Sequence, residues 1–312
     1  MSAIPVREVT MRKSNISILP RSLTPVLLVI SVVLAVAWSA QASSEPTPGP
    51  AIWKVEGGDA ELYLFGTFHL LPTDLEWRNE TISAALAASD TLVLEADTSD
   101  EAMLGGLIQQ YALNPEGKTL RSYFTVEEAD RIDAAIEPWG MSVDGAASLK
   151  PWFVSLQVGL TAMFSLGFEP DSGVEEILLK NAKEASRSLD YLESGEAGIR
   201  ALADHPDDVQ ANILLSSIED LVRIEEMMAQ MIDAWSQGDI AAVADIMNAS
   251  MARTPELVEA VLYKRNRNWI GPLKKMLESD GTYFVAVGAG HLAGNDNVIE
   301  LLEAEGYKLV RQ

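Results

Sequence analysis

The 312-residue chain contains no cysteine and only three histidines. Without cysteine, a disulfide framework, a thiolate metal site and a cysteine nucleophile are all excluded. Basic residues are also scarce, because 23 Lys and Arg face 46 Asp and Glu, for a net charge of −23. This charge opposes attraction to a phosphate backbone or to anionic lipid, so we expect no nucleic-acid partner. Any metal would be held by imidazole, carboxylate, amide or water.

Three common catalytic signatures are missing as well. The sequence has no Gly-x-Ser-x-Gly, no Gly-x-x-x-x-Gly-Lys and no His-Glu-x-x-His, which excludes the usual esterase, phosphate-loop and zincin arrangements. The stretch "VAVGAGHLA" fits a dinucleotide fingerprint, but only 19 residues follow Ala293. A dinucleotide fold needs a further helix, a strand and an acidic residue after the fingerprint, so we expect no such cofactor.

The amino-terminal residues are typical of a secretory signal peptide. Basic residues precede an apolar run at 25–40, and "AQA" at 40–42 supplies the small residues of a cleavage site. We therefore expect a signal peptide at 1–42, a flexible linker at 43–50 and one domain at 51–312, exported to the periplasm. The alternative is an uncleaved anchor, which would be the protein's sole contact with a membrane.

Hydrophobic patterning after residue 50 predicts strands and helices along the whole chain. Strands are expected in a hairpin at 52–66, with its turn at Gly57-Gly58-Asp59, and at 91–97, at 188–194, at 283–287 and in the final "YKLVRQ". Helices are expected at 79–89, within 101–167 and 207–277, and in "DNVIELLEAEG".

Four predicted strands are followed by chemically capable side chains. His69 and His291 each follow an apolar run and a Gly-x-x-His pattern, and Glu95 and Glu193 follow "LVL" and "LDYL". Because ligands of α/β sheets bind beyond the carboxyl ends of strands, we expect these groups to meet. Two imidazoles with one or two carboxylates would suit a divalent cation. Alternatively, the histidines are structural.

Glu95 directly follows a buried strand and therefore needs a partner. A structural salt bridge to Arg265 or Arg267 of "YKRNRN" is the alternative to a metal for this carboxylate. For Glu193 the sequence leaves function and chance equally open.

In this order, the motifs resemble those of the TraB/GumN family, whose animal relatives include the Tiki proteins. The similar segments are "LFGTFHLLP", "LVLEAD", "LKPWF", "DYLESGEAGI", Arg265-Asn266, "FVAVGAGHLAG" and "AEGYKLV", which together cover about residues 51–311. The resemblance implies a mixed α/β fold, with a central β-sheet embedded in many helices, similar to that of erythromycin esterases and the haem-binding ChaN proteins.

The resemblance also implies a divalent-metal-dependent hydrolase of the metallopeptidase type. His69, His291 and Glu95 would hold Mn, Co or Zn, with Arg265 and Asn266 as supporting polar groups. We expect Glu193 or Glu95 to move the proton and Arg265 to stabilise the oxyanion, on a peptide or small-molecule substrate.

Two residues depart from the family pattern, and two other functions stay open. Glu175 stands where an aspartate is expected, and Lys264 where an acid is more usual; we expect neither to touch the histidines. The alternative to a hydrolase is a non-catalytic periplasmic protein that binds a metal, haem or a small molecule in the same cleft. A third reading is a structural protein whose histidines are vestigial.

Overall fold

The computed structural model describes residues 49–312. The predicted signal peptide at 1–42 lies outside the described residues, as does most of the predicted linker at 43–50. Within the described part, no helix combines the length and the apolar character needed to cross a membrane.

Six strands of the described chain form one mixed sheet, and two short strands pair separately. The sheet has the order β6-β4-β7-β2-β1-β8. Its four neighbouring strands β6, β4, β7 and β2 run parallel, whereas β1 is antiparallel to both β2 and β8. The strands are β1 (Ile52–Glu56), β2 (Glu61–Thr67), β3 (Leu71–Pro72), β4 (Thr91–Ala96), β5 (Phe168–Glu169), β6 (Ser188–Glu193), β7 (Thr282–Gly288) and β8 (Lys308–Arg311).

The central strands are apolar on both faces. Leu62, Leu64 and Phe65 of β2 and residues 284–287 of β7 are buried, because helices cover both sides of the sheet. Such continuous apolar runs are typical of parallel strands in α/β proteins. The predicted mixed α/β class is therefore confirmed.

Helices occupy most of the remaining chain. They are α1 (Glu80–Ala88), α2 (Glu101–Ala112), α3 (Val126–Ile136), α4 (Pro151–Ser165), α5 (Val174–Glu184), α6 (Gly195–Ala203), α7 (Asp207–Leu221), α8 (Ile224–Ser236), α9 (Ile240–Met251), α10 (Pro255–Val258), α11 (Lys264–Leu277) and α12 (Val298–Ala304). Side chains of α1, α5, α8 and α9 pack on one face of the sheet, and those of α11 and α12 on the other. A separate apolar cluster joins α3, α4 and α7.

Two irregular segments lead into the candidate site. A π-helical turn, Glu259–Tyr263, connects α10 to α11 and ends two residues before Arg265; such turns often occur at functional sites. A 3-10 helix, Ala289–Leu292, follows β7 and carries His291.

Candidate functional site

The carboxyl ends of the four parallel strands bring the predicted site residues together. Glu95 is the penultimate residue of β4, Glu193 ends β6, and His69 follows β2 by two residues. His291 follows β7 in its 3-10 helix. The structure gathers these four side chains around Arg265 of α11, as the strand-end pattern predicts.

Glu95 accepts hydrogen bonds on both carboxylate oxygens. The Gly288 N–H donates to Oε1 at 2.6 Å, and Nη2 of Arg265 lies 2.5 Å from Oε2. Burial alone would raise the pKa of Glu95, but His291, Arg265, His69 and the Gly288 N–H outweigh it and lower this pKa to about 2. Glu95 is therefore ionised throughout the physiological range.

Both carboxylate oxygens of Glu193 accept hydrogen bonds from neighbouring side chains. Nε and Nη2 of Arg265 lie 2.9 and 2.8 Å from its Oε1, and the indole N–H of Trp269 donates to Oε2 at 3.0 Å. The guanidinium also lies over the Trp269 ring, 4.8 Å from its centroid. Of the two arginines predicted as partners of Glu95, Arg265 is the one that pairs with it, whereas Arg267 bonds Glu259 and Asp296.

His291 is buried and held by an amide. Its Nδ1 lies 2.5 Å from Oδ1 of Asn266, whose Nδ2 donates to the carbonyl of Asp296 at 2.9 Å. This chain of bonds puts the imidazole proton on Nδ1 and leaves Nε2 to accept from Nη1 of Arg265 at 3.2 Å. Burial lowers the pKa of His291 to about 3, with Arg265 and His69 acting in the same direction against Glu95. The ring is neutral.

His69 has the opposite character. Its side chain is 69% exposed, and Nδ1 lies 2.8 Å from Oε1 of Glu175. The hydrogen bond and charge of Glu175 raise the pKa of His69 to about 9. Thr67 donates its hydroxyl to the same carboxylate oxygen.

The expectation that Glu175 does not touch the histidines is wrong. The first turn of α5 lies against the loop after β2, because the Val174 N–H donates to the carbonyl of Phe68 at 2.9 Å. This contact joins segments more than 100 residues apart, and nothing local in the sequence indicates it. The contacts of Thr67 with Glu175 and of Trp269 with Glu193 also join segments distant in sequence, so the sequence does not indicate them either.

Glu95, His291 and His69 all approach the α-carbon of Gly288 closely. A methyl group on its α-carbon would lie 3.2 Å from Oε1 of Glu95, 3.6 Å from Cδ2 of His291 and 4.0 Å from Nε2 of His69. The donor set of two imidazoles and one carboxylate suits a divalent cation, and an oxygen acceptor holds Nδ1 of each ring, as is usual around bound metals. Across residues 49–312, however, no three His, Asp or Glu side chains stand at metal-ligand spacing.

A cavity of about 340 Å³ opens beside these groups. His69, Glu95, Glu175, Glu193 and Arg265 contribute to its lining. The side chains that carry charge thus face a space large enough for part of a substrate.

Comparison with known proteins assigns the chain to a family. The sequence pattern of the TraB/PrgY/gumN family matches residues 51–311. The chain belongs to this family. Similar proteins include the uncharacterized protein YbaP of Escherichia coli K12 and that of Shigella flexneri, each 24% identical over 256 residues, which are 81% of this chain and 92% of the relative.

A shorter similarity involves a protein named as a peptidase. The metalloprotease TIKI homolog of Amphimedon queenslandica is 37% identical over 57 residues, which are 18% of this chain and 11% of that protein. No solved structure matches the chain.

Proposed function

We propose that this TraB/PrgY/gumN protein is an exported, divalent-metal-dependent hydrolase that acts on peptide bonds. The observation that carries the proposal is the arrangement around Gly288, where side-chain atoms of His69, His291 and Glu95 all lie within 4.0 Å of one point. Family membership and the partial similarity to a TIKI metalloprotease support it.

His69, His291 and Glu95 would hold the cation, which we expect to be Mn, Co or Zn, and His69, whose pKa is about 9, would release its Nε2 proton as the metal binds. Once bound, a divalent cation polarises a substrate carbonyl and acidifies a water molecule. The low pKa of Glu95, about 2, makes this residue a poor proton acceptor and a good anionic ligand. Asn266 contributes by fixing the proton of His291 on Nδ1, so that Nε2 carries the lone pair. A cation would take this lone pair in place of the hydrogen bond from Nη1 of Arg265.

The charged neighbours have separate tasks. Glu193 has both oxygens engaged by Arg265 and Trp269, so we assign it the positioning of Arg265 rather than proton transfer. Arg265 would stabilise the negative charge that develops on the substrate carbonyl oxygen. Glu175 is the carboxylate placed to accept a proton, because its Oε2 is buried and has no hydrogen-bond partner among residues 49–312.

Metal content tests the proposal most directly. Purified protein is loaded with Mn, Co or Zn, dialysed and measured by mass spectrometry, beside the His69→Ala and His291→Ala variants. His205→Ala is the matched control, since the third histidine bonds the Ala201 carbonyl away from the site. We expect one metal per chain in wild type and control, little in the two site variants, and cleavage of a mixed quenched-peptide set only by the metal-loaded proteins.

Two outcomes would contradict the proposal: stoichiometric metal in both site variants, or metal-loaded wild type that cleaves none of the peptides. His291 is buried whereas His69 is exposed, so circular dichroism of His291→Ala distinguishes a lost ligand from a lost fold. The His69→Ala result does not depend on that distinction.

The second candidate is a non-catalytic carrier of a metal, haem or a small molecule. The cavity of about 340 Å³ favours it, since a carrier needs such a space but no proton acceptor. Absorbance of the purified protein after incubation with haemin separates the two. A Soret band that shifts from its position in free haemin with wild type but not with His69→Ala would favour the carrier.

A further inference from the structure

We propose that the cavity beside Arg265 is a subsite for an apolar side chain of a peptide whose flanking residues carry no negative charge. The inference rests on the proposed function, because it names the substrate class of the same site. Its two parts, apolar selection and exclusion of anions, come from different residues of the cavity lining.

Part of the cavity lining is an apolar wall. Three helices contribute to it, α2 through Leu104, α5 through Leu179, and α6 through Ile199 and Leu202. All four side chains are only partly buried, so the folded chain keeps aliphatic surface in contact with water. Covering that surface with another apolar group is favourable by about 25 cal/mol for each Å² removed from water.

The cavity has the size of a side-chain pocket. Its volume of about 340 Å³ is at the lower end of the roughly 300–1,000 Å³ that ligand sites span. It therefore holds one side chain with adjoining backbone, not a folded partner. Gly198 contributes to the lining, and a methyl group there would lie 3.4 Å from Oε1 of Glu193, so a larger side chain at this position would occupy the cavity.

The charges around the cavity disfavour an anionic occupant. Four carboxylates line it, those of Glu95, Glu175, Glu176 and Glu193, against Arg265 and His69. Arg265 is already bonded to Glu95 and Glu193, and Glu176 is exposed. An acidic side chain or a free carboxyl terminus would meet more negative than positive charge, and the net charge of −23 adds to this repulsion.

Matched peptides test the subsite. They are seven residues long, blocked at both ends and identical except for a central Leu, Phe, Ser or Glu. Binding is measured by calorimetry on the full chain with EDTA present, so that no cleavage occurs, and cleavage is measured separately with Mn. We expect the Leu and Phe peptides to bind at least tenfold more tightly than the Ser and Glu peptides, as the burial of one large apolar side chain predicts.

Variants locate the effect. Leu202→Gln makes the wall polar and Gly198→Leu fills the cavity, and each should remove the preference for Leu over Ser. The matched control is Leu156→Gln on α4, where a leucine 38% exposed lies outside the cavity; its preference should equal that of wild type. Two site variants of different kinds keep the test valid if one fails to fold.

The outcomes separate the subsite from the hydrolase. Tenfold tighter binding of the Leu and Phe peptides without any cleavage would support the subsite and contradict the proposed function. Cleavage of all four peptides at equal rates and affinities would do the reverse. Absence of detectable binding at millimolar peptide, or an unchanged preference in both site variants, overturns the subsite.

Discussion

Glu175 changes the chemistry of His69 through one hydrogen bond. The carboxylate stabilises the imidazolium form, and it raises the pKa of His69 to about 9 from the ordinary 6.5. Glu175→Gln keeps an oxygen acceptor but removes the charge, so we expect this pKa to fall toward 6.5. Proton NMR titration of the imidazole C–H signals measures it, and the chain's three histidines make assignment simple with His69→Ala and His205→Ala. An equal pKa in wild type and Glu175→Gln would contradict the contact.

His291 predicts a loss of stability in mild acid. Its pKa is lowered to about 3 in the folded chain and is near 6.5 when unfolded. Between pH 6.5 and 3, His291 is therefore protonated in the unfolded state but neutral in the folded state. The free energy of unfolding consequently decreases as the pH falls below 6.5, by up to about 1.4 kcal/mol per pH unit.

Urea titrations at pH 7, 6 and 5 measure this effect. Over that range Glu95, whose pKa is about 2, keeps its stabilising contribution, which is lost only as pH falls from 4.5 toward 2. The contribution of His69 has the opposite sign and is lost as pH rises from 6.5 through about 9. We expect His291→Gln to be less stable at pH 7 but to depend less on pH between 6 and 5. Parallel pH profiles for the two proteins would exclude His291 as the cause.

At the scale of elements, the start of α5 packs closely against the loop that carries His69. A methyl group at Gly173 would lie 2.1 Å from the backbone oxygen of His69, and backbone cannot move aside as a side chain can. We expect Gly173→Ala to destabilise the fold by about 1–3 kcal/mol, as overpacking does. It should also separate Glu175 from His69 and so lower the pKa of that histidine.

Gly159 in α4 is the matched control for this substitution. Nothing lies within 4 Å of a methyl group placed there, and alanine is the better helix former by about 0.5–1 kcal/mol. Gly159→Ala should therefore raise the urea midpoint while Gly173→Ala lowers it. If the urea midpoint shifted in the same direction in both variants, local helix propensity and not the packing of Gly173 against His69 would determine the result.

The sequence predicts most of the helices and strands. The hairpin of β1 and β2, the strands β4, β6 and β8, and α1 between Asn79 and Ser89 all lie where patterning predicts them, because burial on a sheet leaves a local apolar signature. The π-helical turn before Arg265 has no such signature. Its register depends on how α11 packs, and that is a property of the folded chain.

At the scale of the whole molecule, the site combines contacts of very different sequence separation. Strand ends predict that His69, Glu95, Glu193 and His291 converge, since parallel strands must end at a common edge. Which groups pair across the site is not predictable in this way. Glu175 reaches His69 only because α5 returns to the end of β2. The sequence therefore predicts which sheet edge carries the site, but not which side chains form hydrogen bonds with one another there.

The net charge of −23 predicts that salt stabilises the protein. Repulsion among carboxylates opposes the compact state, and added ions screen it within about 10 Å at 0.1 M. Exposed ion pairs such as Lys308 with Glu56 are weakened by the same ions, but each contributes only about 0–1 kcal/mol. We therefore expect the thermal midpoint to rise between 20 and 300 mM NaCl, by about 2–4 °C for each kcal/mol gained.

Choline chloride is the control that separates screening from cation binding at the candidate site. A bulky monovalent cation screens charge as sodium does but does not fit between two imidazoles and a carboxylate. Equal rises in the two salts would assign the effect to the acidic surface as a whole, and a rise in NaCl alone would locate it at a bound ion. A midpoint that falls in both salts would mean that the surface ion pairs outweigh the repulsion, which contradicts the prediction.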